Sequence, residues 1–116
     1  MKSLRFAFLA VALATPLAAV GHHGWSEYDQ QTTLKLTGTI EEAGYEHPHG
    51  HIRLKTAGKT WTAVLAPPSR MGARGLSKEM LKVGTTATVE GYGSRGKPDE
   101  MRAERITVAG KTVELR

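Results

Sequence analysis

From Thr32 onward, apolar and polar residues alternate in short runs, the period of a half-buried strand. In Thr32 to Ala43, Leu34, Leu36 and Ile40 share one face, with Lys35, Thr37 and Thr39 between them. Gly38 takes an inward position and signals a bend or bulge. His49 to Thr56 repeats the pattern with Ile52 and Leu54 inward, and Thr56-Ala57-Gly58-Lys59 supplies a hairpin turn. Trp61, Ala63 and Leu65 then line up in Thr60 to Ala66, which Pro67-Pro68 ends because proline cannot continue a central ladder. Ser69 to Lys82 carries the one helical signal. Gly72 and Gly75 interrupt it, so the spacing predicts a turn followed by a short helix with Ser77 as N-cap and Gly84 as stop. Thr85 to Tyr92 is a fourth strand, with Ala87 and Val89 inward, and Gly93 to Asp99 reads as a flexible basic loop. In Met101 to Val108 the inward set shifts from Met101 and Ala103 to Ile106 and Val108, which predicts a bulge near Glu104-Arg105. Ala109-Gly110-Lys111 turns into a last short strand, Thr112 to Leu115.

Three strands, a short helix and two further strands is the order of an OB-like barrel, five- to six-stranded and mainly β, with its one short helix between strands 3 and 4. The sixth strand would extend an edge. An open sheet or a small sandwich is the alternative architecture.

The first residues follow a different pattern. Met1 to Arg5 is a short basic segment, Phe6 to Ala14 is uniformly apolar, and Thr15 to Gly21 offers small residues for cleavage. This is the pattern of a secretory signal peptide over residues 1–21, too short for a lone membrane anchor; an uncleaved N-terminal membrane helix is the alternative. An extended arm, 22–31, would then lead into the barrel domain, 32–116. Removing Lys2 and Arg5 takes the basic residues from 16 to 14 against 11 acids, a net charge of about +3. That mild balance, on an exported chain, argues against nucleic acid as a partner. The chain has no cysteine, so no disulfide supports the domain and no thiolate is available to a metal.

The absence of cysteine gives weight to the histidines. Three of the five fall within His47-Pro48-His49-Gly50-His51, and the other two are adjacent at His22 and His23. On an extended segment His47, His49 and His51 project to one face, about 6.5–7 Å apart, and Gly50 leaves room for a ligand. Neutral imidazole suits copper or, as the alternative, zinc. Cleavage before His22 would add a free amine to its ring nitrogen, and cleavage after Ala19 would place His22 third from the amine; both arrangements favour copper. Histidines also gather at strand ends simply to hydrogen-bond. Glu46 adjoins the cluster and could orient an imidazole. Trp25, Tyr45 and Trp61 offer aromatic surface for a binding face, although packing is the commoner role of such residues. Met71, Met80 and Met101 could give soft donors, but Met80 and Met101 stand at core positions. Arg70, Arg74, Lys78 and Lys82 form one basic stretch, and Arg95 and Lys97 another; both read as solvated surface.

The His22-His23-Gly24-Trp25 opening, the Gly38-Thr39-Ile40 strand and the run Glu46-His47-Pro48-His49 with Ile52 carry a resemblance. Leu81-Lys82-Val83-Gly84, Val89-Glu90-Gly91 and the strand around Ile106 add to it. The chain resembles the small exported bacterial proteins grouped as domain of unknown function 6152. That family carries Asn-Pro-His where this chain has His47-Pro48-His49, so His47 and His51 are departures. The resemblance implies export and a small β domain, directs attention to His22, His23 and His49, and implies no activity.

Together these features lead to the expectation of a periplasmic, non-enzymatic metal-binding module, copper its ion, held by His47, His49 and His51 with His22 and His23. The alternative is a metal-independent OB-like domain that binds a periplasmic partner protein or ligand. A copper-dependent enzyme with an N-terminal histidine is a lesser alternative, since no nucleophile motif or phosphate loop is present. No stable membrane anchor is expected after cleavage. Intact mass of the exported protein is expected to place the mature terminus at His22, or at Val20 if cleavage follows Ala19. A product retaining Met1 would instead support the membrane-helix alternative.

Overall fold

The computed structural model describes residues 27–116. Six strands form one sheet: β1 (Tyr28–Gly44), β2 (His51–Lys55), β3 (Thr60–Val64), β4 (Thr86–Ser94), β5 (Glu100–Val108) and β6 (Lys111–Glu114). A helix, α1 (Pro68–Ala73), and a single 3-10 turn, Lys78–Leu81, lie between β3 and β4. The sheet order is β3-β2-β1-β4-β5-β6, and β3 also pairs with β5. That last pairing is parallel, Thr62 opposite Glu100 and Val64 opposite Arg102, and it closes five strands into a ring. The other pairings are antiparallel. This is the OB-like barrel expected from the order of elements, with β6 as an appended edge strand.

β1 is long because it serves two neighbours. Its residues from Thr33 to Thr39 pair with β4, and those from Thr39 to Gly44 pair with β2. The strand starts at Tyr28, ahead of the Thr32 start that its alternation marks, and Tyr28 is itself buried. Gly38 stands where β1 changes partners. A Cβ there would lie 2.1 Å from the Lys55 carbonyl oxygen, so only glycine admits the crossing. The irregularity of register falls just beyond, between Ile40 and Glu42, leaving Glu41 as the extra residue. Gly91 plays the corresponding part between β4 and β5: its Cβ would lie 1.9 Å from the Arg102 carbonyl oxygen. There the register passes from Glu90 opposite Arg105 to Gly91 opposite Ala103. Glu104 is thus the bulged residue, as the shift in the inward set predicts, and its carbonyl accepts from the Leu115 N–H at 2.7 Å.

The inward residues meet in one core. Ile40, Ile52, Leu54, Val89, Met101 and Ile106 are each fully buried, and α1 adds Met71. Met71 and Met101 are therefore filling, and Met80 packs half-buried against the same cluster. Pro68 opens α1, where a missing N–H costs nothing. The two glycines that read as interruptions of the helix instead end it. Gly75 adopts φ +86, the Gly75 N–H donates to the Gly72 carbonyl at 3.1 Å and the Leu76 N–H to the Met71 carbonyl at 2.8 Å, a Schellman closure. The helix thus comes first and the tighter turn second, the reverse of the expected order. Ser77 precedes that turn in extended conformation without a side-chain capping bond. Gly84 adopts φ +91, and its N–H donates to the Ile40 carbonyl. Among the described residues no helix is long and apolar enough to cross a membrane.

Replacing Gly91 by alanine is expected to cost about 1–3 kcal/mol, because backbone rather than a flexible side chain must move. Gly58→Ala, with nothing within 4 Å of the added carbon, is the control and should leave stability close to wild type. Urea unfolding of both variants checks this; equal midpoints would refute the close-approach argument.

Candidate functional site

One end of the barrel holds a cavity of about 710 Å³, within the range of small-ligand sites. Six parts of the chain reach it. β1 brings Tyr28 with the preceding Glu27, the segment before β2 brings Pro48 and His49, and the end of β3 brings Val64 and Leu65. Pro67 and Arg70 come from the start of α1, Lys97, Glu100 and Arg102 from the β4–β5 loop and β5, and Arg116 follows β6. The lining thus has an apolar wall of prolines and aliphatics facing a set of charged groups.

The charges are organised around Tyr28. Its hydroxyl donates to Glu100 Oε2 at 3.0 Å, and the Arg102 guanidinium carbon lies 6.0 Å from its ring centre. Burial first, and then the Glu100 carboxylate, push the phenol up from 10.0 to about 12. Lys97 Nζ approaches Glu100 Oε1 at 3.9 Å. Arg116 Nη2 donates to the Leu65 carbonyl at 2.8 Å, and Arg70 Nη1 donates to the Leu115 carbonyl at 3.1 Å. Burial lowers the Arg116 guanidinium, Arg102 and Arg70 repel it further, and Glu104 opposes them. Four cations and two carboxylates leave the lining with a formal charge of +2.

The histidine motif is not gathered into one cluster. β2 begins only at His51, and residues 45–50 before it are not in a strand, so strand alternation does not govern His47 and His49. His47 and His49 are exposed, and only His49 of the three lines the cavity. His51 lies on β2 opposite Gly44, its ring filling the space a Cβ at Gly44 would need. Its Nε2 stands 3.9 Å from Glu42 Oε1, so Glu42 rather than Glu46 is the carboxylate beside a histidine; Glu46 is exposed. Gly50 makes no room for a ligand. A Cβ there would meet Met71 Cε at 2.6 Å, and Gly50 N–H and C=O continue the ladder to Ala66 and Leu65. Among the described residues no group of three or more histidine, aspartate or glutamate side chains is placed to hold a metal ion. His22, His23 and Trp25, with the signal segment, lie outside the described residues.

The aromatic residues also divide. Trp61 packs half-buried on the core with Lys59 Nζ 4.1 Å from its ring centre. Tyr45 packs there too, donates its hydroxyl to the Leu76 carbonyl, and lines a separate depression of about 340 Å³ with Lys82 and Val83. Neither reaches the larger cavity; Tyr28 does. Arg70 and Lys97, which pattern alone marks as solvated surface, are lining residues, and Arg74 ties α1 to the Glu114 and Arg116 carbonyls at 2.8 and 2.9 Å.

Fold and cavity define the class: a small OB-like barrel with a basic, partly apolar cleft at one end. The chain belongs to the family of unknown function DUF6152, whose model matches residues 10–102. No curated protein matches it. Among solved structures it is similar to TiaS in complex with an isoleucine tRNA and ATP, with 18% identity, a TM-score of 0.53, and coverage of 76% of this chain but 19% of that one. A ZRD-deleted mutant of TiaS in complex with agmatine is similar at 18% identity and a TM-score of 0.52, over 76% of this chain and 25% of that one. At this identity the likeness is one of fold, and the present chain spans a small part of TiaS.

The Tyr28 phenol provides a direct test of the cleft. The wild-type minus Tyr28→Phe ultraviolet difference should show a tyrosinate appearing near pH 12, and Glu100→Gln should move it toward 10. Because the folded state holds this proton between the two values and the unfolded state does not, the contribution to stability is full below pH 10 and falls as pH rises toward 12. A phenol titrating near 10 in the folded protein would contradict the buried Tyr28–Glu100 arrangement.

Proposed function

We propose that this is an exported, non-enzymatic binding module of the bacterial periplasm, and that its ligand seat is the cleft around Tyr28. One observation carries the reading. The cleft combines a sizeable concave volume, an apolar wall and several convergent polar groups, as ligand sites do, whereas among the described residues no three histidine, aspartate or glutamate side chains are placed to hold a metal ion. The signal-peptide pattern of residues 1–21 supports export. The reading needs no bound metal and assigns no catalytic residue.

A test uses the mature protein after treatment with chelator. Titration with the low-molecular-weight fraction of a periplasmic extract should perturb the NMR signals of Tyr28, His49, Val64 and Arg102, and leave those of Tyr45 and Trp61 in place. Perturbation that appears only after copper is added would overturn the metal-independent reading.

A second reading keeps copper, with zinc the alternative ion. Glu27 and His49 line the same cleft, and His23 and His22 precede Glu27 by four and five residues in the sequence. On this reading His49→Ala weakens Cu(II) binding strongly and His51→Ala does not, with tryptophan quenching as the readout. Affinity unchanged after replacing His47, His49 and His51 together would sink a role for the motif in metal binding. A terminal amine among the ligands must lose its proton, so binding would weaken in acid.

A further inference from the structure

We infer that the ligand of this cleft is a small amphipathic anion, with a carboxylate or phosphate headgroup set among Arg70, Arg102 and Arg116 and an apolar body along Val64 and Pro67. The inference rests on the proposal that the cleft is a ligand seat and adds the chemical class. Three arginines from α1, β5 and the segment after β6 converge on one cavity, although each belongs to a different part of the sequence. Arg116 is repelled by both Arg102 and Arg70 and attracted by Glu104, so charges from separate elements meet at its guanidinium. The acceptors of Arg70 and Arg116 include the neutral main-chain carbonyls of Leu115 and Leu65, which orient a guanidinium without adding negative charge beside it. The carboxylate in the cleft with the shortest contact, Glu100, is engaged by the Tyr28 hydroxyl and Lys97. An oxyanion would relieve the crowding and accept charge-assisted hydrogen bonds from planar donors suited to carboxylate or phosphate. The apolar wall would be left uncovered by an inorganic ion, which is why the ligand is given an apolar body. A volume of about 710 Å³ suits a small molecule rather than a macromolecule.

Calorimetric titration of the chelator-treated mature protein separates the parts of this inference. Octanoate and octyl phosphate are expected to bind, octylammonium not to bind, and octanol and inorganic phosphate each to bind at least ~10-fold more weakly than octyl phosphate, a difference within the worth of one charged hydrogen bond. Preference for octanoate over octyl phosphate would identify a free carboxylic acid as the source, and the reverse a phosphate ester such as a lipid headgroup. Arg70→Gln, on an exposed position of α1, should weaken octanoate at least ~10-fold while circular dichroism and thermal midpoint stay near wild type. Arg116→Gln gives a second variant if the first perturbs α1. Octanol or octylammonium binding as tightly as octanoate would overturn the anion inference while leaving the cleft a binding seat. No binding by any of the five probes, with the NMR perturbation by extract intact, would also overturn it without touching the broader reading.

Discussion

The barrel depends on a close crossing of backbones at Gly38. There β1 leaves β4 and takes up β2, and the Lys55 carbonyl occupies the space of a side chain. Only a residue without Cβ lets one strand coil tightly enough to serve both neighbours. Gly91 repeats the device between β4 and β5, where Glu104 is squeezed out of register. With both crossings made, β3 and β5 come together in parallel and the ring closes. The same closure sets Val64 beside Arg102, which is to say the apolar wall of the cleft beside one of its cations. Fold and candidate site therefore rest on one geometric condition.

The cleft also shows how a small, cysteine-free domain can hold charge at the margin of its core. No polar or charged residue among those described is fully buried. Arg70 and Arg116 lie at the end of the barrel, partly in solvent, with donors on main-chain carbonyls. Such carbonyls orient a guanidinium and leave its positive charge in place, because they carry no net charge of their own. Tyr28 and Glu100 form the contrasting side, where a phenol keeps its proton because burial and a neighbouring carboxylate both disfavour the phenolate.

Much of the scaffold could be read from alternation. The inward sets of β1, β2 and β4 are those their sequences display, and the change of phase around Glu104 revealed a bulge because an extra residue moves every later side chain to the other face. The region after Pro67 was less legible. Gly72 and Gly75 look like helix breakers in a linear reading, yet Gly75 is the left-handed residue that lets the helix close on its own carbonyls. The arrangement of His47, His49 and His51 was hard to read for a related reason. Spacing of two places side chains together only on a strand, and the chain becomes a strand only at His51. Gly50, taken as an opening, is filled by Met71 from α1, a contact between residues distant in sequence.

The sequence by itself determined the number and order of strands, the core and the features that point to export, because each is written in local periodicity and composition; the helix it placed after Ser77 forms instead at Pro68–Ala73. Only the tertiary structure decided which residues share the cleft. Tyr28, His49, Arg70, Arg102 and Arg116 belong to separate elements, and each looks locally like an ordinary strand-end or surface residue. Closure of the ring brings them to one cavity, and electrostatic interaction among them depends on distance in space, which no spacing along the chain encodes.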